Sequence, residues 1–152
     1  MKALIVYDSV FGNTRKLAEA IAAGLDAKAV PVSDISAQEV SQAALLLVGS
    51  PTRAFRPTPA ITEWLKNLPN GTLQGMRAAA FDSRISADKV KSRALKFMMN
   101  KCGYAAPLID NELKKKGASI AAAPEGFFVE ESEGPLTEGE EARAKEWAKA
   151  LA

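Results

Sequence analysis

Histidine is absent from the 152-residue sequence, and cysteine occurs only once, as Cys102. Without histidine the chain has no Ser-His-Asp triad and no His-Cys dyad, and nearly every kind of zinc site is excluded. A single cysteine excludes an internal disulfide and a cysteine-based metal cluster. Chemistry in this protein must therefore depend on carboxylates, hydroxyls, amines, one thiol or a bound cofactor.

Long apolar runs and a strong charge imbalance are also missing. No apolar stretch reaches the ~20 residues that a membrane-spanning helix requires, and the start of the chain, Met1–Val6, lacks the cleavage site of a signal peptide. The formal net charge of +2 is too small to indicate nucleic-acid binding. We therefore expect a cytoplasmic protein that binds neither membrane nor nucleic acid. Its length suits one domain over residues 1–152.

Charge is nevertheless unevenly distributed along the chain. Residues 84–116 contain nine Lys or Arg and three Asp or Glu, whereas residues 130–146 contain seven acidic and two basic residues. Solvated helix faces explain both stretches more simply than a docking patch does.

Strand-like and helix-like segments alternate along the sequence. Near-continuous apolar runs predict strands buried on both faces, and apolar residues at helical spacing predict helices between them. The predicted strands are 2–7, 27–32, 43–48, 76–81 and a last one split into 119–123 and 127–129. The predicted helices are 14–25, 36–42, 60–68, 87–101, 107–116 and 138–151. This alternation predicts an α/β fold, a three-layer doubly wound five-stranded parallel sheet.

Ligands of an open parallel sheet bind beyond the carboxyl ends of its strands. Three loops fall at that edge, namely residues 8–14, residues 50–58 and the segment that begins at residue 82. All three carry small polar residues, which the packing of a core does not require. The sequence therefore places the candidate binding site where these loops meet.

The first of these loops suits a phosphate group. Gly12 permits a sharp turn, and Asn13 and Thr14 open the first helix, whose free backbone N–H groups and dipole favour an anion. The hydroxyls of Ser9 and Thr14 add neutral donors. For this loop alone, an ordinary strand-to-helix turn with a capping residue remains an equal alternative. Its position and the two companion loops favour phosphate.

The stretch Ala3-Leu4-Ile5-Val6-Tyr7, followed by Ser9-x-x-Gly12-Asn13-Thr14, resembles the opening of flavodoxins and flavodoxin-like proteins. Gly49-Ser50-Pro51-Thr52 resembles their second flavin loop, and the order of elements matches along essentially the whole chain. The resemblance implies strand order 2-1-3-4-5 and noncovalent flavin mononucleotide (FMN), with one- or two-electron transfer at its isoalloxazine ring. The predicted cofactor-binding residues are Ser9, Val10, Phe11, Gly12, Asn13, Thr14, Pro51, Thr52, Arg53, Phe55, Asp82, Ser83 and Arg84.

The sequence departs from the family's pattern around the flavin ring. The third position of the phosphate loop is usually Ser or Thr and here is Phe11. The second loop usually offers Trp beside the ring, and here it leaves only Phe55. Tyr104 lies just past an added helical stretch, roughly 86–102, and is a further candidate for ring contact.

Three arginines, Arg53, Arg56 and Arg84, lie in the predicted flavin loops. Positive charge near the ring stabilises the anionic reduced flavin, whereas carboxylates there lower its potential. Our hypothesis is that this flavin is reduced more easily than that of an acidic flavodoxin. Solvated loop charge is the alternative for each arginine.

The leading interpretation of function is an FMN-binding electron carrier between redox partner proteins, a reductase and an acceptor. No acid–base residues are evident at the site, which favours a carrier. An FMN-dependent reductase that passes hydride from NAD(P)H to a quinone is an alternative, because residues 86–102 and the arginines could form a substrate site. Whether the protein is an enzyme therefore stays open. A flavin-free flavodoxin-like binding module is a further alternative, given Phe11 and the missing Trp.

Overall fold

A computed structural model describes residues 2–152, and Met1 lies outside the described residues. The strands are β1 (Ala3–Tyr7), β2 (Lys28–Pro31), β3 (Leu45–Pro51), β4 (Arg77–Ile85), β5 (Ser119–Ile120) and β6 (Glu125–Val129). The helices are α1 (Asn13–Leu25), α2 (Ala37–Ser41), α3 (Pro59–Asn67), α4 (Arg93–Cys102), α5 (Ala105–Lys115) and α6 (Glu140–Lys149). Single 3-10 turns occupy Val32–Asp34 and Ala87–Lys89. No helix in residues 2–152 is long and apolar enough to cross a membrane.

All strands pair in parallel in one sheet, in the order β2-β1-β3-β4-β5, with β6 also paired to β4. β5 lies beside the beginning of β4, where Arg77 pairs with Ser119, and β6 lies beside its end, where Phe81 pairs with Glu125. The two short strands thus share the fifth position. Their interruption includes Pro124, which has no N–H for the ladder. The predicted strand order and the split last strand are confirmed.

Alternate residues of a strand point to opposite faces of the sheet. Both faces are apolar here, and helices cover each of them. One face packs against α1 and α6, with Ile5, Leu47 and Phe81 in its core. The other face packs against α2, α3 and α5, with Leu46 and Val48 in its core. This arrangement confirms the predicted three-layer, doubly wound α/β fold.

Local capping signals determine where several helices begin. Ser36 Oγ accepts a hydrogen bond from the Glu39 amide at 3.1 Å and donates to the Glu39 carboxylate at 3.2 Å, so these two residues cap the start of α2. Thr58 caps α3, and Ser92 caps α4 in the same way. The predicted helix 87–101 is therefore wrong at its start, because α4 begins only after the cap at Ser92.

Two strands are longer than the sequence predicts. β3 was expected to stop at Gly49 but continues to Pro51, and β4 was expected to end at Phe81 but continues to Ile85. Gly49 does not end the strand; it leaves room for a ring, since an added Cβ would lie 2.1 Å from Phe81. The apolar pattern underestimated β4 because polar residues occupy its last buried positions.

The contact between α1 and α6 also depends on a glycine. A Cβ at Gly24 would lie 2.7 Å from the main-chain oxygen of Lys145, so the two helices approach each other closely at this point. On α6 the buried apolar residues are Ala144 and Ala148. The small side chains of α6 match the close approach.

Glu140 attaches the first turn of α6 to β6. Its carboxylate accepts hydrogen bonds from Arg143 Nε at 2.8 Å and Nη2 at 2.7 Å, and from the Phe128 amide at 2.8 Å. Arg143 also donates to the Gly126 carbonyl at 2.6 Å. The Arg143 hydrogen bonds, with help from the Phe128 amide, hold the pKa of Glu140 below its ordinary value against the opposing effect of partial burial.

The substitution Glu140→Gln is expected to lower the free energy of unfolding at neutral pH by about 2 kcal/mol, because charge-assisted hydrogen bonds are lost. Since the folded-state pKa is lowered, this contribution is complete above the ordinary value of 4.5 and disappears as the pH falls through the lower folded-state pKa. Denaturant unfolding followed from neutral pH downward through the range in which glutamate side chains titrate should therefore show the variant and the wild type converging in acid.

Glu141→Gln is the matched control, because Glu141 is exposed in the same helical turn. It should change stability little and leave the acid dependence as in the wild type. A constant difference between Glu140→Gln and the wild type across the pH range would contradict the assignment.

Candidate functional site

A cavity of about 620 Å³ lies at the carboxyl edge of the sheet, where β1, β3, β4 and β6 end. This is the edge at which parallel α/β sheets bind ligands. The cavity is lined by Ser9, Val10, Phe11, Asn13, Thr14, Pro51, Thr52, Arg53, Ala54, Ser83, Arg84, Ile85, Val129, Ser132 and Glu133. The three predicted loops therefore meet at one cavity, and a fourth segment after β6 joins them.

The loop between β1 and α1 turns at Gly12, whose φ of 94° lies in the left-handed region that favours glycine. The first helical hydrogen bond runs from the Lys16 amide to the Gly12 carbonyl at 3.1 Å. Ser9 Oγ accepts hydrogen bonds from the amides of Gly12 at 3.1 Å and Arg15 at 3.3 Å. Its hydroxyl proton therefore remains available for a ligand.

The same loop has backbone N–H groups with no protein acceptor. Within residues 2–152, this holds for Val10 and Phe11 in the loop and for Asn13 and Thr14 at the first two positions of α1. All four residues line the cavity. The positive end of the α1 dipole adds to these donors, so the loop can bind an anion without a lysine.

Thr14 and Asn13 connect this loop to the rest of the site. Thr14 Oγ1 and Ser83 Oγ lie 2.9 Å apart in a buried hydrogen bond between α1 and β4. Asn13 Nδ2 donates to the Glu133 carbonyl at 3.1 Å, and Gly134 passes so closely that an added Cβ would lie 2.6 Å from Asn13 Oδ1. Asn13 therefore holds the segment after β6, at Glu133 and Gly134, against the loop between β1 and α1, which we name the phosphate-type loop.

The second loop is a tight hairpin. The amides and carbonyls of Arg53 and Arg56 exchange hydrogen bonds of 2.7 and 3.0 Å, and the two residues between them have positive φ, 47° for Ala54 and 70° for Phe55. Such turns favour Asn and Gly, so Ala and Phe carry backbone strain here. Phe55 does not line the cavity, and the Arg53 guanidinium lies 5.3 Å from the centre of the Phe11 ring.

Asp82 lies on the opposite face of β4 from Ser83 and is completely buried. Its carboxylate accepts two hydrogen bonds from Arg84, each of 2.7 Å, and one from the Ala106 amide at 2.8 Å. Burial raises the pKa of Asp82, and the Arg84 guanidinium and the Ala106 amide oppose that shift. Asp82 therefore joins β4 to the beginning of α5 and does not line the cavity.

Arg84 extends from this ion pair to the cavity. Its guanidinium lies 3.7 Å from the centre of the Tyr104 ring, and it crosses Gly126 so closely that an added Cβ would lie 2.2 Å from it. Thr52 Oγ1, on the neighbouring strand end, accepts a hydrogen bond from the Ala105 amide at 3.1 Å. These two contacts attach the junction between α4 and α5 to the rim of the cavity.

The structure brings most of the predicted residues together. Gly12 shapes the first loop, whereas Phe55 and Asp82 stand apart from the lining. The sequence did not single out Ala54, Ile85, Val129, Ser132 and Glu133, which also line the cavity. The rule that found the other loops could have found the last three, because β6 ends at the same edge as β1, β3 and β4.

The described residues provide no group of three or more side chains able to hold a metal ion. The donors that face the cavity are hydroxyls, amides, guanidinium groups and backbone N–H groups. Such a set suits an organic ligand that carries an anionic group.

Comparison with known proteins gives the same class of fold. An archaeal flavodoxin superimposes with a TM-score of 0.75 at 22% identity, over 100% of this chain and 96% of that one. Flavodoxin 1 from Bacillus cereus gives 0.75 at 16% identity, over 99% and 97%. Rubredoxin oxygen:oxidoreductase from Desulfovibrio gigas gives 0.73 at 21% identity, over 99% of this chain and 35% of that one.

The sequence itself gives the family. Residues 4–119 match the family model of the flavodoxin domain, which covers most of the chain. The protein belongs to the flavodoxin domain family. None of the curated protein sequences compared with the chain matches it significantly.

The substitution Asp82→Asn is expected to lower the free energy of unfolding by about 3 kcal/mol, because it leaves the Arg84 guanidinium, whose side chain is only 17% exposed, without its counter-charge. Denaturant unfolding measures this change. Asp8→Asn is the matched control, because Asp8 lies just after β1 and accepts only the Ser9 amide. Equal effects of the two substitutions would contradict the structural role of Asp82.

Proposed function

We propose that this protein binds FMN noncovalently in the cavity and carries electrons between redox partner proteins. The observation that carries the proposal is the set of four N–H groups without protein acceptors, on Val10, Phe11, Asn13 and Thr14, which open on a cavity large enough for a small cofactor. When bound, FMN supplies one- or two-electron transfer at its ring. The protein supplies the phosphate site, the orientation of the ring and its electrostatic surroundings.

The phosphate end of the proposed site depends on dipoles. Lysine is not among the lining residues, and Arg15, in the first turn of α1, forms an ion pair with Glu19 at 2.9 Å. A phosphate dianion would therefore be held by backbone N–H groups, the Ser9 hydroxyl and the α1 dipole. This explains why the loop needs neither a Walker lysine nor three glycines.

The ring end depends on the rim of the cavity. Phe11 is the aromatic side chain among the lining residues, and it and Val10 are 45% and 49% exposed. A bound ring that covered these two side chains would remove apolar surface from water. Arg53, stacked over Phe11, lies in the same part of the rim.

The choice of a carrier over a reductase rests on residues 86–104. A reductase would need a substrate site, which residues 86–102 together with the arginines could form. No residue of 86–104 lines the cavity in the part of the chain that the structure describes. Among residues 2–152, Glu133 is the one acidic residue in the lining. A carrier needs only access to the ring and a surface for its partner.

The phosphate site predicts a preference for FMN over riboflavin, which has the same ring and no phosphate. Quenching of flavin fluorescence should show tighter binding of FMN by the wild type, by about 100-fold or more, because several N–H groups contact the dianion. Asn13→Asp places a negative charge beside the phosphate and should weaken FMN about tenfold or more while changing riboflavin little.

Asn111→Asp is the matched control, because it makes the same charge change at an exposed position of α5. It should leave both affinities unchanged. Equal affinity of the wild type for FMN and riboflavin would contradict the phosphate site.

Arg53 is expected to raise the midpoint potential of bound FMN. Within residues 2–152 no carboxylate lies within ion-pair distance of Arg53, whereas the charge of Arg84 is compensated by Asp82. Arg53→Gln should therefore lower the potential by on the order of 30 mV, the size of one weak charge interaction. A spectroelectrochemical titration measures this difference.

Arg56→Gln is the control for Arg53→Gln, because Arg56 belongs to the same hairpin but does not line the cavity. It should leave the potential within about 10 mV of the wild type, because a charge outside the cavity is separated from the ring by solvent and screened. Equal shifts in the two variants would show that Arg53 acts only through general charge.

A further inference from the structure

Residues 86–104 form an excursion that leaves the rim of the cavity and returns to it. β4 ends at Ile85, which lines the cavity. The chain returns at Tyr104, whose ring stacks on Arg84, and at Ala105, whose amide donates to Thr52 Oγ1. Arg84 and Thr52 are lining residues, so the excursion is anchored to the rim of the cavity at both of its ends, and α4 ends two residues before Tyr104.

The apolar residues of α4 are largely uncovered. Of its ten residues only Met99 is buried. Leu95, Phe97 and Met98 are 41%, 64% and 46% exposed. A helix that packed on the core would bury such residues, as α1 does, so this cluster marks a surface for another molecule.

Unpaired positive charge surrounds this cluster. Within residues 2–152 no carboxylate lies within ion-pair distance of Lys91, Arg93 or Lys96, and the Lys101 ammonium lies 5.8 Å from the centre of the Phe97 ring. The one acidic residue between 86 and 104 is Asp88. Lys89 differs from the others, because it pairs with Glu130. Four of the nine basic residues of 84–116 therefore lie in or next to α4, beside exposed apolar side chains.

We propose that this surface, which we name the α4 face, docks an acidic redox protein. The α4 face comprises Lys91, Arg93, Lys96, Phe97 and Met98. Leu95 lies outside it, because it is about 200° around the helix from Phe97, on the side of the buried Met99. Carboxylates of the partner would pair with the three cations, and the apolar side chains would form the desolvated centre of the contact. The proposal rests on the proposed function, since a partner seated there would lie next to the flavin cavity. It also replaces the simpler interpretation of this stretch as a solvated helix face.

The interface is expected to be weak and electrostatic. Opposite charges accelerate association and lose their effect as ionic strength rises. Only two exposed apolar side chains, Phe97 and Met98, belong to the α4 face, which suits a small transient interface rather than a permanent one.

Carbodiimide coupling tests the proposal without requiring flavin. The probes are a purified rubredoxin, as a small acidic iron–sulfur protein, and cytochrome c, as a basic haem protein. Coupled to rubredoxin at low ionic strength, the full chain should form amide bonds mainly at Lys91 and Lys96, as mapped by mass spectrometry. FMN titration of the same preparation reports separately on the proposed function. A chain that fails to bind FMN but still couples at these lysines would refute only the carrier.

A pair of matched triple variants then measures affinity by NMR titration with rubredoxin. The first carries Lys91→Gln, Arg93→Gln and Lys96→Gln. The second carries Lys66→Gln, Lys115→Gln and Lys149→Gln, in the last turns of α3, α5 and α6. Both lose three positive charges, but only the first should weaken rubredoxin binding, by about tenfold at low salt. Both should bind FMN as the wild type does.

Phe97→Ser, at an exposed position, tests the apolar part of the contact. It should weaken rubredoxin binding several-fold and leave the dependence on salt unchanged, because it removes no charge.

Three results would overturn the α4 face as a docking surface for an acidic protein. The first is coupling spread evenly over the surface lysines, with equal loss of affinity in the two triple variants. The second is stronger binding of cytochrome c, through the acidic residues of 130–146. The third is binding of the α4 face to vesicles of phosphatidylglycerol and phosphatidylcholine in preference to rubredoxin, which would assign it to an anionic membrane.

Discussion

The buried carboxylate of Asp82 connects the parts of the protein that matter for function. It lies near the end of the central strand β4 and accepts hydrogen bonds from Arg84 and from the first turn of α5. Burying an ionised carboxylate is costly unless its oxygens are fully paired. The ion pair therefore determines the orientation of the Arg84 side chain. The Arg84 guanidinium in turn stacks on the ring of Tyr104. The start of α5 and the return of the α4 segment to the cavity both depend on this one group.

Because successive residues of a strand point to opposite faces of the sheet, β4 also makes a hydrogen bond on the face opposite to Asp82. Ser83, between Asp82 and Arg84 in sequence, points toward α1 and bonds Thr14 at the beginning of that helix. Three successive residues thus fix the phosphate-type loop on one side of the sheet and the α4–α5 junction on the other. A shift of either side relative to β4 would break a buried hydrogen bond.

Electrostatics divides the proposed site into a neutral end and a charged end. The α1 loop offers dipoles and N–H groups, which bind an anion without adding mobile charge. Arg53, at the rim, has no carboxylate partner among residues 2–152, and Arg84 does. Both arginines lie in the predicted flavin loops, and the sequence does not distinguish them. In the structure, the uncompensated charge of Arg53 would affect the potential of a bound flavin more than the paired charge of Arg84. The cations in and next to α4 that have no carboxylate partner among residues 2–152 add further positive charge outside the rim of the cavity.

Hydrophobic periodicity was sufficient to predict the order of elements, because strands buried on both faces leave apolar runs that helices do not. It could not predict that β4 continues through Asp82 to Ile85, since polar residues in a buried strand are paired by neighbours remote in sequence. The turn of Phe55 away from the cavity depends on a strained hairpin that no local pattern indicates. The segment at Ser132 and Glu133 was predictable from the position of β6, but its attachment to Asn13 required the fold.

The central claim is that a phosphate group binds at the N–H groups that begin α1. Amide chemical shifts measure this directly, because a proton donated to an anion moves downfield. On addition of FMN to the ¹⁵N-labelled protein, the account predicts large downfield shifts for the amides of Val10, Phe11, Asn13 and Thr14, and much smaller ones with riboflavin. Shifts confined to other residues, or identical for the two flavins, would contradict it.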